Sequence, residues 1–270
     1  MWPAFLLIVG VPLLILGADL LVRGASGLAL AAKVSALVVG LTVVAFGTSA
    51  PEIAISVDAA ARGYGSVALG NAVGSNIFNV LFVLGLSALA APLAISGQVL
   101  RRDTPLMIAA SIGVYLMALN GVLSRIDGVI LVGGLIAYVT YSLVDGRRVG
   151  KIQQQDMPVK NVPQGVRGIA ICIGLLLLGL VLLVIGARML VNGAVELALK
   201  LGVSELVVSL TVVAAGTSLP EAATSVMAAI RKERDIAVGN IVGSNLWNIL
   251  AVLGIGAVVA PNGIQVPHES

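Results

Sequence analysis

Glu52 and Glu221 each close a copy of one hexapeptide, GTSAPE at 47–52 and GTSLPE at 216–221. Both copies lie inside long apolar runs. A carboxylate at bilayer depth costs roughly 3 kcal/mol even on the lenient insertion scale, so each needs a partner or a ligand. Pro51 and Pro220 have no N–H, so the carbonyls of Gly47 and Gly216 lose their helical partners and the chain kinks. A carbonyl freed at that depth must be buried in protein or line a watery cavity. Thr48 and Glu52 are four residues apart, hence on one helical face, and Thr217 and Glu221 match them. A second repeated string, GNAVGSNIFN at 70–79 and GNIVGSNLWN at 239–248, sets Ser75 with Asn79 and Ser244 with Asn248 at the same spacing. Four helix faces thus present Thr, Ser, Asn and Glu oxygens, with no sulfur or imidazole. Such a set suits Ca2+ or another hard cation rather than zinc or copper. Calcium takes about six to eight oxygens at about 2.3–2.6 Å, and two glutamates would cancel its charge.

The elements that must position these residues are membrane helices. The 270 residues are 59% hydrophobic and 11% charged, with a mean hydropathy of +1.08, which excludes an ordinary soluble domain. The apolar runs predict spans at 3–23, 35–61, 67–91, 103–121, 126–144, 166–199, 204–230 and 236–260. The first run starts at once, has no basic flank and continues past Gly24, unlike a cleaved signal peptide. Eleven basic residues fall in one set of loops: Lys33, Arg101, Arg102, Arg147, Arg148, Lys151, Lys160, Arg167, Arg231, Lys232 and Arg234. Three, Arg62, Arg125 and Lys200, fall in the other. This bias predicts a multi-pass membrane protein with its N-terminus outside. The net charge of +3 is read as topology, not as a nucleic-acid surface.

The chain is internally duplicated. Residues 17–52 align without a gap with residues 186–221 at an offset of 169, and the register holds from 70–79 to 239–248, from Gly85 to Gly254 and from Pro92 to Pro261. Equivalent helices are five spans apart, an odd number, so the halves are expected in opposite orientations, with the site at the midplane. The expected fold is an all-α, polytopic membrane protein with inverted repeats. Its first half is 1–144 with five helices, its cytoplasmic linker 145–165, and its second half 166–270 with three. Carrying the offset through residue 145 leaves about 44 residues, two helices, unaccounted for, so eight of an expected ten helices are present and C-terminal truncation is expected.

The other polar residues have plainer readings. Asp19 and Arg23, four apart, read as an interfacial pair. Asp58 aligns with Met227 and reads as interfacial or at most as a vestibule residue; Glu196 and Glu205 read as loop-end charges near Lys200. Cys172 is a packing residue, and His268 belongs to the tail. No metal–thiolate cluster or disulfide framework is expected.

With two copies of GTSxPE followed by GNxxGSNxxN, the sequence resembles the calcium:cation antiporter superfamily, sodium/calcium exchanger type, in its short prokaryotic form. The likeness covers most of residues 17–92 and 186–261. It implies ten helices, with the second, third, seventh and eighth forming an ion-binding core across which the first and sixth slide, and it implies exchange of Na+ for Ca2+. By matching position, the resemblance makes Glu52 and Glu221 the main carboxylate ligands and gives the backbone carbonyls of Thr48 and Thr217 to Ca2+. Ser49, Ser218, Ser75 and Ser244 would bind Na+ through their side chains, Ala45 and Ala214 would offer carbonyls to the outer Na+ sites, and Asn79 and Asn248 would line the centre. The family often has Asp where Asn248 stands, so the coupling ion and stoichiometry are open. The expected partners are Ca2+, Na+ and the lipid bilayer, with no cofactor, no nucleic acid and a monomeric state.

Two adjacent glutamates without a cation repel and are poorly solvated, so only filled states should cross readily, which yields antiport. A Ca2+/H+ or K+-dependent exchanger is the alternative of the same class. A passive channel would show a continuous polar stripe rather than one midplane cluster. An enzyme would show a nucleophile–base arrangement, which is lacking. An inactive fragment is the remaining reading.

Overall fold

The computed structural model describes residues 2–155, 165–204 and 214–266. The chain is a helical bundle. In chain order the helices are α1 (Trp2–Ala32), α2 (Ala36–Thr48), α3 (Ala50–Ala61), α4 (Gly65–Ala90), α5 (Val99–Asn120), α6 (Arg125–Gln155), α7 (Gly165–Lys200), α8 (Ala214–Thr217), α9 (Leu219–Ile230) and α10 (Arg234–Val259). Among the described residues six helices are long and apolar enough to cross a membrane, and α2 with α3, bent by 50°, makes a seventh. The apolar α9 is shorter, and residues 205–213, with Glu205, lie outside the described residues, as does His268.

One boundary differs from expectation. Polar composition places the linker from residue 145, yet α6 runs on to Gln155. The stretch DGRRVGKIQQQ is rich in Arg, Lys and Gln, good helix formers, and the first proline comes only at Pro158.

Helices α1 and α7 are repeat equivalents and run antiparallel, as opposite orientations require. Gly10 faces Gly186, Gly17 faces Leu183 and Gly24 faces Cys172. Their backbones touch: a Cβ at Gly17 would stand 2.6 Å from the Leu183 nitrogen, and one at Gly179 would stand 2.5 Å from the Leu21 nitrogen. Small residues that admit such approach are how membrane helices pack without a hydrophobic driving force between them. Cys172 is buried in this contact.

Helices α2 and α10 run parallel and nearly as close, with Gly239 against the Leu37 carbonyl and Gly243 against that of Leu41. The other side of α10 packs on α5 and α6 in the largest apolar cluster, through Leu246, Leu250, Leu253, Leu131 and Leu135. After α10 the chain forms a short antiparallel pair, Val122–Leu123 with Ile264–Gln265.

Wide π-type turns interrupt α2 at Gly40–Val44, α4 at Asn79–Val83 and α10 at Asn248–Val252. The last two are repeat equivalents, and each starts on an asparagine predicted to face the site. Such single-turn bulges concentrate at functional sites because they re-aim the side chains around them.

Candidate cation site

The hexapeptides break the helices as their prolines demand. The interruption falls on Ser49 (φ −83°, ψ 1°) and, equivalently, on Ser218 (φ −90°, ψ 8°). Pro51 and Pro220 then occupy the first turns of α3 and α9, where a missing N–H costs nothing. Glu52 and Glu221 sit in those same first turns, at the positive ends of the helix dipoles, where a carboxylate is favoured. Glu52 is fully buried and Glu221 1% exposed.

Short side chains lock the broken helices to their neighbours. The Asn240 amide donates to Ser225 Oγ (2.9 Å) and to the Glu221 carbonyl (3.4 Å). Its repeat equivalent Asn71 donates to Ser56 Oγ (2.8 Å) and to the Glu52 carbonyl (3.4 Å). Thr48 Oγ1 donates to Asn240 Oδ1 at 3.0 Å, lies 3.3 Å from the Ala45 carbonyl and 3.4 Å from Ser244 Oγ. Ser49 Oγ donates to Glu221 Oε1 at 3.0 Å, joining the two hexapeptides directly. Asn79 Nδ2 donates to Asn245 Oδ1, and Asn248 Nδ2 to Asn76 Oδ1, each at 3.1 Å.

These bonds leave oxygens over. Glu52 Oε1 and Oε2, Glu221 Oε2, Asn79 Oδ1, Asn248 Oδ1 and Ser218 Oγ are all buried without a hydrogen-bond partner from the protein. Each buried orphan costs about 1–3 kcal/mol, and more when charged. Both asparagines spend their amide donors on a neighbour and keep their acceptor oxygens free. A donor set of carboxylate, amide and hydroxyl oxygens that the protein leaves unsatisfied is the chemistry a hard cation completes. Among the described residues no cluster of three His, Cys, Asp or Glu is present, so the carboxylates of this pocket number two.

The predicted residues fall as follows. Glu52, Glu221, Asn79, Asn248, Ser49 and Ser218 are buried in this cluster; Thr48 and Ser244 join it through their contact. Ser75 is buried on α4, one turn before Asn79. Thr217 is half-buried and lines a cavity of about 220 Å3 between α7 and the broken helices, with Pro51, Ala54, Arg188 and Pro220. The Ala45 carbonyl is engaged by the Ser49 N–H (3.0 Å) and Thr48 Oγ1, so an ion there competes with two donors. Ala214 opens α8. Asp58 pairs with Arg62 at 2.9 Å on an exposed helix end, away from the cluster. Sequence reasoning missed Asn71, Asn240, Ser56, Ser225, Asn76 and Asn245. The signal was there: four of them are the remaining asparagines of the two GNxxGSNxxN strings, and Ser56 and Ser225 obey the same offset.

Comparison with known proteins gives a consistent result. The sequence matches the family described as "Sodium/calcium exchanger protein" over residues 2–144 and 171–270. It is 38% identical over 262 residues to the inner membrane protein YrbG of Escherichia coli, covering 96% of this chain and 81% of that one. It is 32% identical over 291 aligned positions to the sodium/calcium exchanger MaX1 of Methanosarcina acetivorans, covering 95% of this chain and 83% of that one. The fold superposes on the sodium–calcium exchanger NCX_Mj soaked with 10 mM Na+ with a TM-score of 0.82 at 32% identity, over 99% of this chain and 85% of that one.

Proposed function

The chain belongs to the sodium/calcium exchanger protein family, and from that premise we propose that it exchanges Na+ for Ca2+ by alternating access at the Glu52–Glu221 pocket. It is an antiporter of this type and not an enzyme. The observation that carries the ion assignment is the set of buried, unsatisfied oxygens with two carboxylates that no cationic side chain pairs with among the described residues.

One Ca2+ balances the two glutamates, and so do two or more Na+ in the same oxygens. An ion-free pocket keeps two like charges together in a low-dielectric interior, so it resists crossing the membrane unfilled. Glu52 and Glu221 bridge the cations; Asn79 and Asn248 offer their free amide oxygens at the centre. Thr48 and Thr217 contribute carbonyls to Ca2+, and Ser49, Ser218, Ser75 and Ser244, with the carbonyls of Ala45 and Ala214, serve Na+. The protein works as a monomer with its N-terminus outside the cell.

The test is radiolabelled Ca2+ uptake into proteoliposomes, with Na+, K+ or H+ gradients as alternative drivers. A Na+ gradient should suffice, and Glu52→Gln and Glu221→Gln should each abolish uptake. Normal uptake in either variant would sink the assignment. Uptake driven by pH alone or needing K+ would identify the coupling that the neutral Asn248 leaves open.

A further inference from the structure

We propose that Asp19, Arg231, Ser26 and Glu233 form a latch that closes the pocket toward the linker side and biases the protein to open on the opposite side. The proposal rests on the alternating-access reading above and on the linker side being cytoplasmic.

Two observations make α1 and α7 a unit distinct from the rest. Their mutual contact is backbone-tight along three turns spaced over most of α1. Away from the linker end their contact with the core leaves room: a cavity of about 220 Å3 between α7 and α3, α8 and α9, and another of about 430 Å3 where α1 meets α9 and the end of α4. A tight pair on a loosely packed surface moves as one body against that surface.

At the linker end the pair is fastened. Asp19 on α1 forms an ion pair with Arg231, just past α9, and a second with Arg23 at 2.9 Å. Two turns further along from Asp19, Ser26 Oγ donates to Glu233 Oε1 at 2.6 Å. Asp19 is 16% exposed and Arg231 33%, so water screens this pair only in part. Beneath it Val22, Ala25, Ala228 and Ala229 are sealed, none more than 1% exposed.

The duplication shows what the other end would need. In the inverted state the far end of α7 docks on α3 as α1 now docks on α9. At the offset of 169, Asp19 corresponds to Arg188, Arg231 to Arg62, Ser26 to Val195 and Glu233 to Tyr64. The far end therefore offers Arg against Arg, and Val against Tyr, in place of an ion pair and a hydrogen bond. Arg62 is instead held by Asp58 on its own helix, and Arg188 lines the 220 Å3 cavity with Thr217. The latch has no counterpart, so one access state is favoured by the sequence itself.

The test uses the full chain in inside-out vesicles with Ala229→Cys as a reporter beneath the latch and a membrane-impermeant maleimide; the chain without this substitution corrects for Cys172. Labelling in saturating Ca2+ reports the minor, linker-open state and needs no net transport, so it stands apart from the Glu52→Gln uptake result. Asp19→Asn and Arg231→Gln should each raise the labelling rate about fivefold, the lower end of ordinary conformational coupling. The double variant should exceed neither single, because both remove one interaction. Arg188→Asp, which creates a partner for Arg62 at the far end, should raise it too; no local loosening at Arg231 produces that result. Unchanged labelling in Asp19→Asn, additive single effects, or an Arg188→Asp protein that labels like its parent would each overturn the latch.

Discussion

Asn240 offers a test of how the pocket is held, separable from what it binds. Its side chain is fully buried and makes three bonds: it accepts from Thr48 Oγ1 and donates to Ser225 Oγ and to the Glu221 carbonyl. Asn71, its repeat equivalent, makes two among the described residues, in a half-buried setting. A net hydrogen bond is worth about 1 kcal/mol, so Asn240→Ala should destabilise by about 3 kcal/mol and Asn71→Ala by about 2 kcal/mol or less. A double-mutant cycle of Thr48→Val with Asn240→Ala should show a coupling of about 1 kcal/mol, since the two residues share one buried bond. Denaturant unfolding of the purified protein in detergent, with and without Ca2+, measures all four free energies. Asn240→Ala should also weaken Ca2+ protection, because the Glu221 backbone loses its tether. Equal costs for the two asparagines, or a coupling near zero, would refute the claim that this network, rather than generic burial, positions the glutamates.

The remaining predictions concern packing, surface charge and symmetry. Gly179→Ala places a Cβ 2.5 Å from the Leu21 backbone nitrogen, so α1 and α7 must separate and stability should fall by more than about 1 kcal/mol in thermal unfolding. Gly47→Ala, although inside the first hexapeptide, meets only the Leu180 side chain at 3.5 Å and should fold and bind Ca2+ normally in the same assays. Arg62→Ala removes an ion pair whose partners are 68% and 61% exposed and should shift unfolding by less than about 1 kcal/mol. Ser49→Ala and Ser218→Ala should move the Ala229→Cys labelling rate in opposite directions, for the reason argued last.

Much of this protein is legible in its sequence, for identifiable reasons. The spans are set by apolar length, and the breaks at Ser49 and Ser218 follow from prolines that lack a donor. The oxygens of Glu52, Glu221, Asn79 and Asn248 were marked by being polar where lipid forbids it. The lock between helices was not marked in that way. Ser56 and Asn71 stand on different helices and meet only because α3 and α4 pack face to face, a relation with no period along the chain. The π-type turn at Asn79 adds one residue to a helical turn and leaves no trace in composition. The continuation of α6 to Gln155 was hidden because polarity was read as linker, whereas Arg, Lys and Gln are helix formers wherever water reaches them. The pairing of Leu123 with Ile264 joins residues from the two halves through a backbone contact two residues long, too short for strand alternation to announce.

Departures from the repeat are of two kinds, and they mean different things. Ser49 and Ser218 are the same residue at equivalent positions, yet Ser49 donates to Glu221 while Ser218 Oγ has no partner. Identical residues in unlike settings differ by conformation alone. When the halves exchange roles, Ser218 should donate to Glu52 as Ser49 lets Glu221 go, and the exchange is nearly neutral in energy. Ser49→Ala removes a bond from the state seen here and should raise Ala229→Cys labelling; Ser218→Ala removes one from the other state and should lower it. Asp19 and Arg188 differ in kind, so the pair that Asp19 makes with Arg231 is lost on switching without replacement. A carrier needs the first kind of asymmetry to cycle, because two states of similar energy interconvert readily. The second kind tilts the cycle by a fixed amount set by side chains far from the ions. If both serine variants shift labelling in the same direction, the halves do not exchange roles and the inverted-repeat account of switching fails for this chain.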